Sequence, residues 1–152
     1  MHVNIDIRDE YNELSVTIHA QSWSNELDQL MERIKHPIPE RIAGTNQEQT
    51  ILIEPEDIDF IYAEKRKVYA RINHQDIEVK MKLYELEELL ETFHFARFSK
   101  SVLGNTRMIQ KFEVAFNGNL CVHFKSGNKE YVTRNYVVSL KQKLLGGDGN
   151  GR

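Results

Sequence analysis

The chain opens on two stretches of alternating residues. Between His2 and Arg8, Val3, Ile5 and Ile7 point one way while Asn4 and Asp6 point the other. That spacing predicts a strand with one buried face. A polar turn, Asp9 to Glu13, leads to Leu14, Val16 and Ile18, a second alternating strand, so a hairpin is expected. The period then lengthens. Leu27, Leu30, Met31 and Ile34 share one helical face, Ser22 or Ser24 is placed to cap the N-terminus, and Glu26 and Asp28 lie near its start. Lys35 and His36 suit the end of this helix, and Pro37 stops it.

Residues 41–50 are polar and contain a glycine, the best place for a junction between subdomains. Short apolar runs follow in quick succession. Strands are predicted over Thr50–Ile53, Ile58–Tyr62, Val68–Ile72 and Ile77–Met81, separated by the turns Pro55–Asp57, Glu64–Lys67 and Asn73–Asp76. Leu86, Leu89, Leu90 and Phe93 define the buried face of a second helix, Leu83–Phe93. Phe95–Phe98 reads as short and extended, and Val102–Ile109 as irregular. Gln110–Phe116 and Leu120–Phe124 alternate around Asn117-Gly118, a strong hairpin signal. Ser126–Asn128 turns into a strand at Glu130–Val132, and Asn135–Leu145 is a short amphipathic helix. Successive hairpins with two or three short helices make a mainly β, β-rich α+β chain, without the strand–helix alternation of a doubly wound sheet.

Composition sharpens this picture in three ways. At 152 residues and 40% hydrophobic, the chain suits one domain with a short extension, burying roughly two thirds of its unfolded surface. Cys121 is the sole cysteine, so no internal disulfide forms; it is read as a small core hydrophobe in a reducing compartment. The absence of a signal-like N-terminus and of a ~20-residue apolar run leads to the expectation of a soluble, cytoplasmic protein. The glycine-rich segment 146–152 is expected to be a disordered tail.

Charge is segregated. Residues 93–152 hold ten Lys and Arg against three Asp and Glu, whereas residues 1–50 hold four against nine, and residues 51–92 six against eleven. A positive lobe on an acidic body is the footprint of a phosphate-binding surface, which the overall charge of −3 conceals.

No catalytic constellation emerges. Glycine-rich phosphate loops, CxxC and HExxH are missing, so no metal spacing or cofactor is indicated. The six histidines are scattered, and the acidic run Glu85–Glu88 reads as a solvated helix face. Ser99 and Ser101 have no His/Asp partners by motif. No small-molecule substrate is expected, and an enzyme is disfavoured. Arg97, Lys100, Arg107, Lys125, Lys129, Arg134, Lys141 and Lys143 instead occupy loops and strand ends, with Ser99, Ser101, Asn105, Thr133 and Asn135 between them. Cations and hydroxyls hold phosphates; Arg, Lys and Asn read base edges. Ordinary solubilising charge is the competing explanation.

Several blocks resemble the LytTR family of bacterial DNA-binding domains. Glu56–Ala63 (EDIDFIYA) is similar to that family's opening strand, Leu83–Leu89 (LYELEEL) to its helix, and Phe95–Asn105 (FARFSKSVLGN) to its central block. Ile109–Phe112 and Asn128–Tyr136 (NKEYVTRNY) are similar to the segments that follow. The resemblance implies a compact fold of about ten short strands in small antiparallel sheets, with loops that enter successive major grooves. It divides the chain into a β-β-α extension (1–46), which either mediates dimerisation or completes the fold, a DNA-binding domain (47–145) and the tail (146–152). It places DNA contacts at Arg66 and Lys67, at Arg97, Ser99, Lys100 and Ser101, and at Thr133, Arg134 and Asn135. Phosphates are expected at Arg66, Lys67, Arg107, Lys125 and Arg134, and base edges at Lys100 and Asn135, with Arg97 either reading or positioning. Asn105 completes the candidate set. Ser99 replaces the family's usual histidine, and Lys100 its usual Arg or Asn.

The first fifty residues are too few for a phospho-receiver domain of roughly 120 residues, a length within the usual domain range. The expectation is a stand-alone, response-regulator-like transcriptional regulator acting on double-stranded promoter DNA at paired half-sites, capable of forming a homodimer. The resemblance also implies a functional link to a small membrane protein. The alternative is a protein-interaction module that works through the acidic N-terminal subdomain, with the basic lobe incidental.

Overall fold

A computed structural model describes residues 1–35 and 40–146. His36 and Pro37, expected to end the first helix, and all of the glycine-rich tail except Gly146 lie outside the described residues. The chain divides into two compact units, 1–38 and 39–152.

The first unit contains one regular element, helix α1 (Asn25–Lys35). Ser24 Oγ caps it by accepting the Leu27 N–H at 3.2 Å. The hairpin expected before it is absent: residues 1–24 contain no ladder, and Val3, Ile5, Ile7, Leu14 and Val16 are all exposed. Alternation prepares a face for burial, but a lone two-stranded ribbon is marginal in water without a layer against it.

The second unit is built from ten strands. Seven form one antiparallel sheet: β1 (Ile42–Asn46), β2 (Gln49–Ile53), β3 (Phe60–Glu64), β4 (Lys67–Ile72), β5 (Gln75–Val79), β6 (Phe95–Ser99) and β7 (Val102–Asn105), in the order β2-β1-β5-β4-β3-β7-β6. Three more, β8 (Ile109–Val114), β9 (Leu120–Phe124) and β10 (Lys129–Val132), form the sheet β10-β9-β8. Helix α2 (Leu83–Leu90) lies between β5 and β6 in sequence, and α3 (Arg134–Leu144) follows β10. The expected mainly β architecture of about ten short strands is present.

Two segments correct the sequence expectation. Residues 41–50, expected as a polar junction, form the β1–β2 hairpin, with Ile42 opposite Ile53. Val102–Ile109, expected to be irregular, contains β7, all four of whose residues are buried, followed by a 3₁₀ turn. In addition, β3 starts at Phe60 because Pro55–Asp57 turns as a 3₁₀ helix, β5 sits two residues earlier than predicted, and Phe116 falls in a turn rather than a strand.

Alternation along the central strands sends side chains into two cores. Ile61, Leu103 and Phe95 pack with Leu83, Leu86 and Leu90 of α2. Phe60, Ala96, Phe98 and Val102 pack with Leu120, Val122, Phe124, Val132 and Leu140 of the small sheet and α3. The large sheet is thus the middle of three layers. Gly104 is required here, because a Cβ at that position would lie 2.0 Å from the Phe98 ring. Cys121 is buried, as expected.

A polar latch joins the sheets at one end. Asp59 is 1% exposed, and its Oδ2 accepts hydrogen bonds from Ser126 Oγ at 2.5 Å and Asn128 Nδ2 at 2.8 Å. Asn128 Nδ2 also donates to the Asn73 carbonyl. These bonds to Oδ2 tie the two sheets in register, while Asp59 Oδ1, also buried, has no hydrogen-bond partner.

Candidate nucleic-acid interface

At the opposite end, four chain reversals meet. The β3–β4 turn has two residues, Lys65 and Arg66, at φ 50° and 67°. Both are left-handed, a conformation that Asn and Gly adopt with less strain. Arg66 and Lys67 are exposed at this tip. The β6–β7 turn carries exposed Lys100 and Ser101 and half-buried Ser99. It is tied to the first tip through Ala63 N–H, which donates to the Ser101 carbonyl at 2.9 Å. The β10–α3 junction is tied to β6 by Thr133 N–H, which donates to the Phe98 carbonyl at 2.9 Å. Arg134 N–H in turn donates to Asn119 Oδ1 at 3.1 Å, bringing in the β8–β9 turn.

The last two reversals enclose a shallow polar bay of about 270 Å³, lined by Asn117, Asn119, Thr133, Arg134 and Asn135. Gly118, at φ 78°, permits it: a Cβ there would lie 3.2 Å from Arg134 Cδ. Asn117 and Asn119 were legible in the sequence only as turn formers. Their place beside Arg134 depends on the fold.

Eight of the twelve candidate residues, Arg66, Lys67, Ser99, Lys100, Ser101, Thr133, Arg134 and Asn135, therefore lie at this end. Arg97 sits just behind it, and its charge is already engaged. Its Nη2 contacts Glu87 Oε1 of α2 at 2.7 Å and its Nη1 donates to the Lys100 carbonyl at 2.7 Å. Its partner, Glu87, belongs to the acidic run that reads from sequence as a solvated helix face. Arg97 shapes the tip from behind.

Three candidates do not join the cluster. Asn105 is 2% exposed; its Nδ2 donates to the Ile58 carbonyl at 2.8 Å and its Oδ1 accepts the Arg107 N–H at 3.1 Å. With both amide atoms occupied inside the fold, it is not available as a contact. Arg107 follows β7 at the end away from Ser101 and meets His94 Nε2 at 3.1 Å. Lys125 follows β9 at the same end, where its N–H donates to the Met108 carbonyl at 2.9 Å. One strand length, roughly 13–17 Å for four or five residues, separates Arg107 and Lys125 from the tips.

On the small sheet, Glu113, Cys121 and His123 offer ligand-type atoms within 4.8 Å of one another. His123 Nε2 contacts Glu113 Oε2 at 2.7 Å, and this contact holds the Glu113 carboxyl below its ordinary value. Lys111 and Lys129 are both opposite His123 in the ladder, so the group reads as a hydrogen-bonded pair within a basic surface.

Loop tips gathered at one end of a two-sheet β scaffold, with no helix-turn-helix pairing among the described residues, define the class of fold. Residues 48–145 match the LytTr DNA-binding domain, and the chain belongs to the LytTR family. An uncharacterized HTH-type transcriptional regulator of Staphylococcus aureus (strain MSSA476) is 26% identical over 145 residues, covering 95% of this chain and 98% of that protein. The corresponding protein of strain NCTC 8325 has the same identity and coverage. Among solved structures, a LytTr DNA-binding domain from Bacillus cereus superposes with a TM-score of 0.65 at 18% identity, covering 69% of this chain and 96% of that one. No helix of the described residues is long and apolar enough to cross a membrane.

Proposed function

We propose that this protein is a sequence-specific regulator of transcription that binds double-stranded DNA by inserting loop tips into the major groove. The convergence of Arg66, Lys67, Lys100 and Arg134 at one end of a rigid sheet carries the proposal. Arg66, Lys67 and Arg134 neutralise phosphates. Lys100 and Asn135 read base edges, Lys100 as a donor to guanine and Asn135 to adenine. Ser99, Ser101 and Thr133 supply hydroxyls for the sugar–phosphate backbone. Arg97 positions the central tip, and paired half-sites present two such clusters to two protomers.

A fluorescence-anisotropy titration tests this with the protein's own upstream promoter fragment and a scrambled fragment at two salt concentrations. Tighter, salt-sensitive binding to the native fragment is expected. Equal affinity for both fragments would leave a non-specific basic surface. If binding is absent at low salt, or if charge reversal at Lys100 and Arg134 changes nothing, the acidic N-terminal unit becomes the working surface instead.

A further inference from the structure

The β8–β9 turn carries an apolar side chain that the fold does not use. Phe116 is 86% exposed, and Val114, the last residue of β8, is exposed as well. Single exposed apolar residues are ordinary on protein surfaces. Phe116 differs in its place and in how firmly its backbone is held.

The turn is a closed loop. Ala115 N–H donates to the Asn119 carbonyl at 2.8 Å, and Asn119 N–H donates to the Phe116 carbonyl at 3.0 Å. Asn117 and Gly118 take the left-handed backbone, at φ 57° and 78°, and these are the residue types that adopt it with least strain. Asn119 Oδ1 fastens the loop to the start of α3 by accepting the Arg134 N–H. Nothing in this arrangement depends on the Phe116 ring, and a ring left in water adds no burial energy to the fold. Beside it lies the polar bay, which Asn117 and Asn119 line together with Thr133, Arg134 and Asn135. An exposed ring thus adjoins the residues assigned above to phosphate and base recognition.

An A·T pair presents two features in the major groove that match these side chains. Adenine offers N6 and N7 to an amide such as Asn135, and its thymine offers an apolar 5-methyl group, for which a phenyl ring is a suitable contact. We propose that the β8–β9 turn is a further reading element, in which Phe116 packs against a thymine 5-methyl beside the adenine read by Asn135. This deepens the DNA-binding reading and rests on it.

The test uses the upstream promoter fragment made once with thymine and once with uracil, which pairs identically and lacks only the 5-methyl. Anisotropy titrations of the full chain compare wild type, Phe116→Ala and Phe116→Leu on both. Wild type is expected to bind the uracil fragment about tenfold more weakly. Phe116→Ala is expected to lose about the same factor on the thymine fragment and to bind the two fragments alike. Phe116→Leu, which keeps an apolar contact, should recover most of the loss. The salt slope should stay that of wild type, because no charge is removed, and so should the melting temperature, because the ring is exposed. Wild-type preference for the native over a scrambled fragment reports on the underlying reading, and without it both fail. With that preference present, three results would each overturn the thymine contact alone. They are undiminished affinity in Phe116→Ala, a wild type indifferent to uracil, or a uracil penalty as large in Phe116→Ala as in wild type.

Discussion

Lys65 and Arg66 stand where a two-residue hairpin turn ordinarily holds Asn and Gly. Their left-handed backbone costs on the order of 1 kcal/mol per residue, and the only visible return is positive charge at a tip. Lys65→Asn with Arg66→Gly is therefore expected to raise stability by about 1–2 kcal/mol in chemical denaturation while weakening DNA binding. A variant that is neither more stable nor weaker on DNA would contradict both halves of this account. His94 is also left-handed, at φ 68°. Burial first, and Arg107 second, hold its imidazole below the ordinary value of 6.5. The unfolded chain therefore takes up the proton more readily than the folded one. The associated stability is fully present above about pH 6.5 and is lost as pH falls through the depressed native value. His94→Asn tolerates the same backbone and cannot titrate, so its melting temperature should fall less than that of wild type on acidification from neutral pH.

Among the elements, the central tip depends on a side chain behind it. Arg97 bridges Glu87 of α2 to the carbonyl of Lys100. Charge alone predicts that Glu87→Gln tightens DNA binding, since an acid is removed from beside a basic surface. Positioning predicts the reverse, a loss of roughly three- to tenfold, on the order of 1 kcal/mol for one charge-assisted contact. Anisotropy on the variant separates the two, with circular dichroism confirming that the fold is retained. Elements with a strong period were legible from sequence: β9, β4 and α2 lie close to where alternation and helical spacing put them. β1 was not, because Ile42 is its single large apolar residue, and Gly44, buried against Ile77 and Ile53, reads locally as a loop former. β7 was missed for the same reason, since Gly104 and Asn105 are turn formers by type and are strand residues only because Phe98 and Ile58 require them there. The N-terminal hairpin failed in the other direction, with a clear period and no layer to bury it. Of the site, exposed cations on loops were visible in the sequence, but the engagement of Arg97 and the burial of Asn105 follow from contacts ten and 47 residues away in sequence.

At the scale of the whole molecule, charge and topology make separable claims. Phosphate neutralisation by Arg66, Lys67 and Arg134 gives a log–log salt slope of about −3 per protomer, at roughly −0.9 per phosphate. Arg66→Ala and Arg134→Ala should each reduce that slope by up to about 1. Arg107→Ala and Lys125→Ala, which remove cations from the far end, should leave it unchanged. Anisotropy at several salt concentrations reads all four, and an equal effect from every variant would mean that the basic lobe acts as a diffuse field rather than through its tips.

The tips are tied to one another through main-chain atoms: Ala63 to Ser101 and Phe98 to Thr133. Side-chain identity at Lys100 or Asn135 is therefore uncoupled from the geometry that displays it. Such a frame behaves as a chassis with interchangeable reading heads. On the proposed reading, its operator preference can drift by single substitutions at the tips while the frame stays folded.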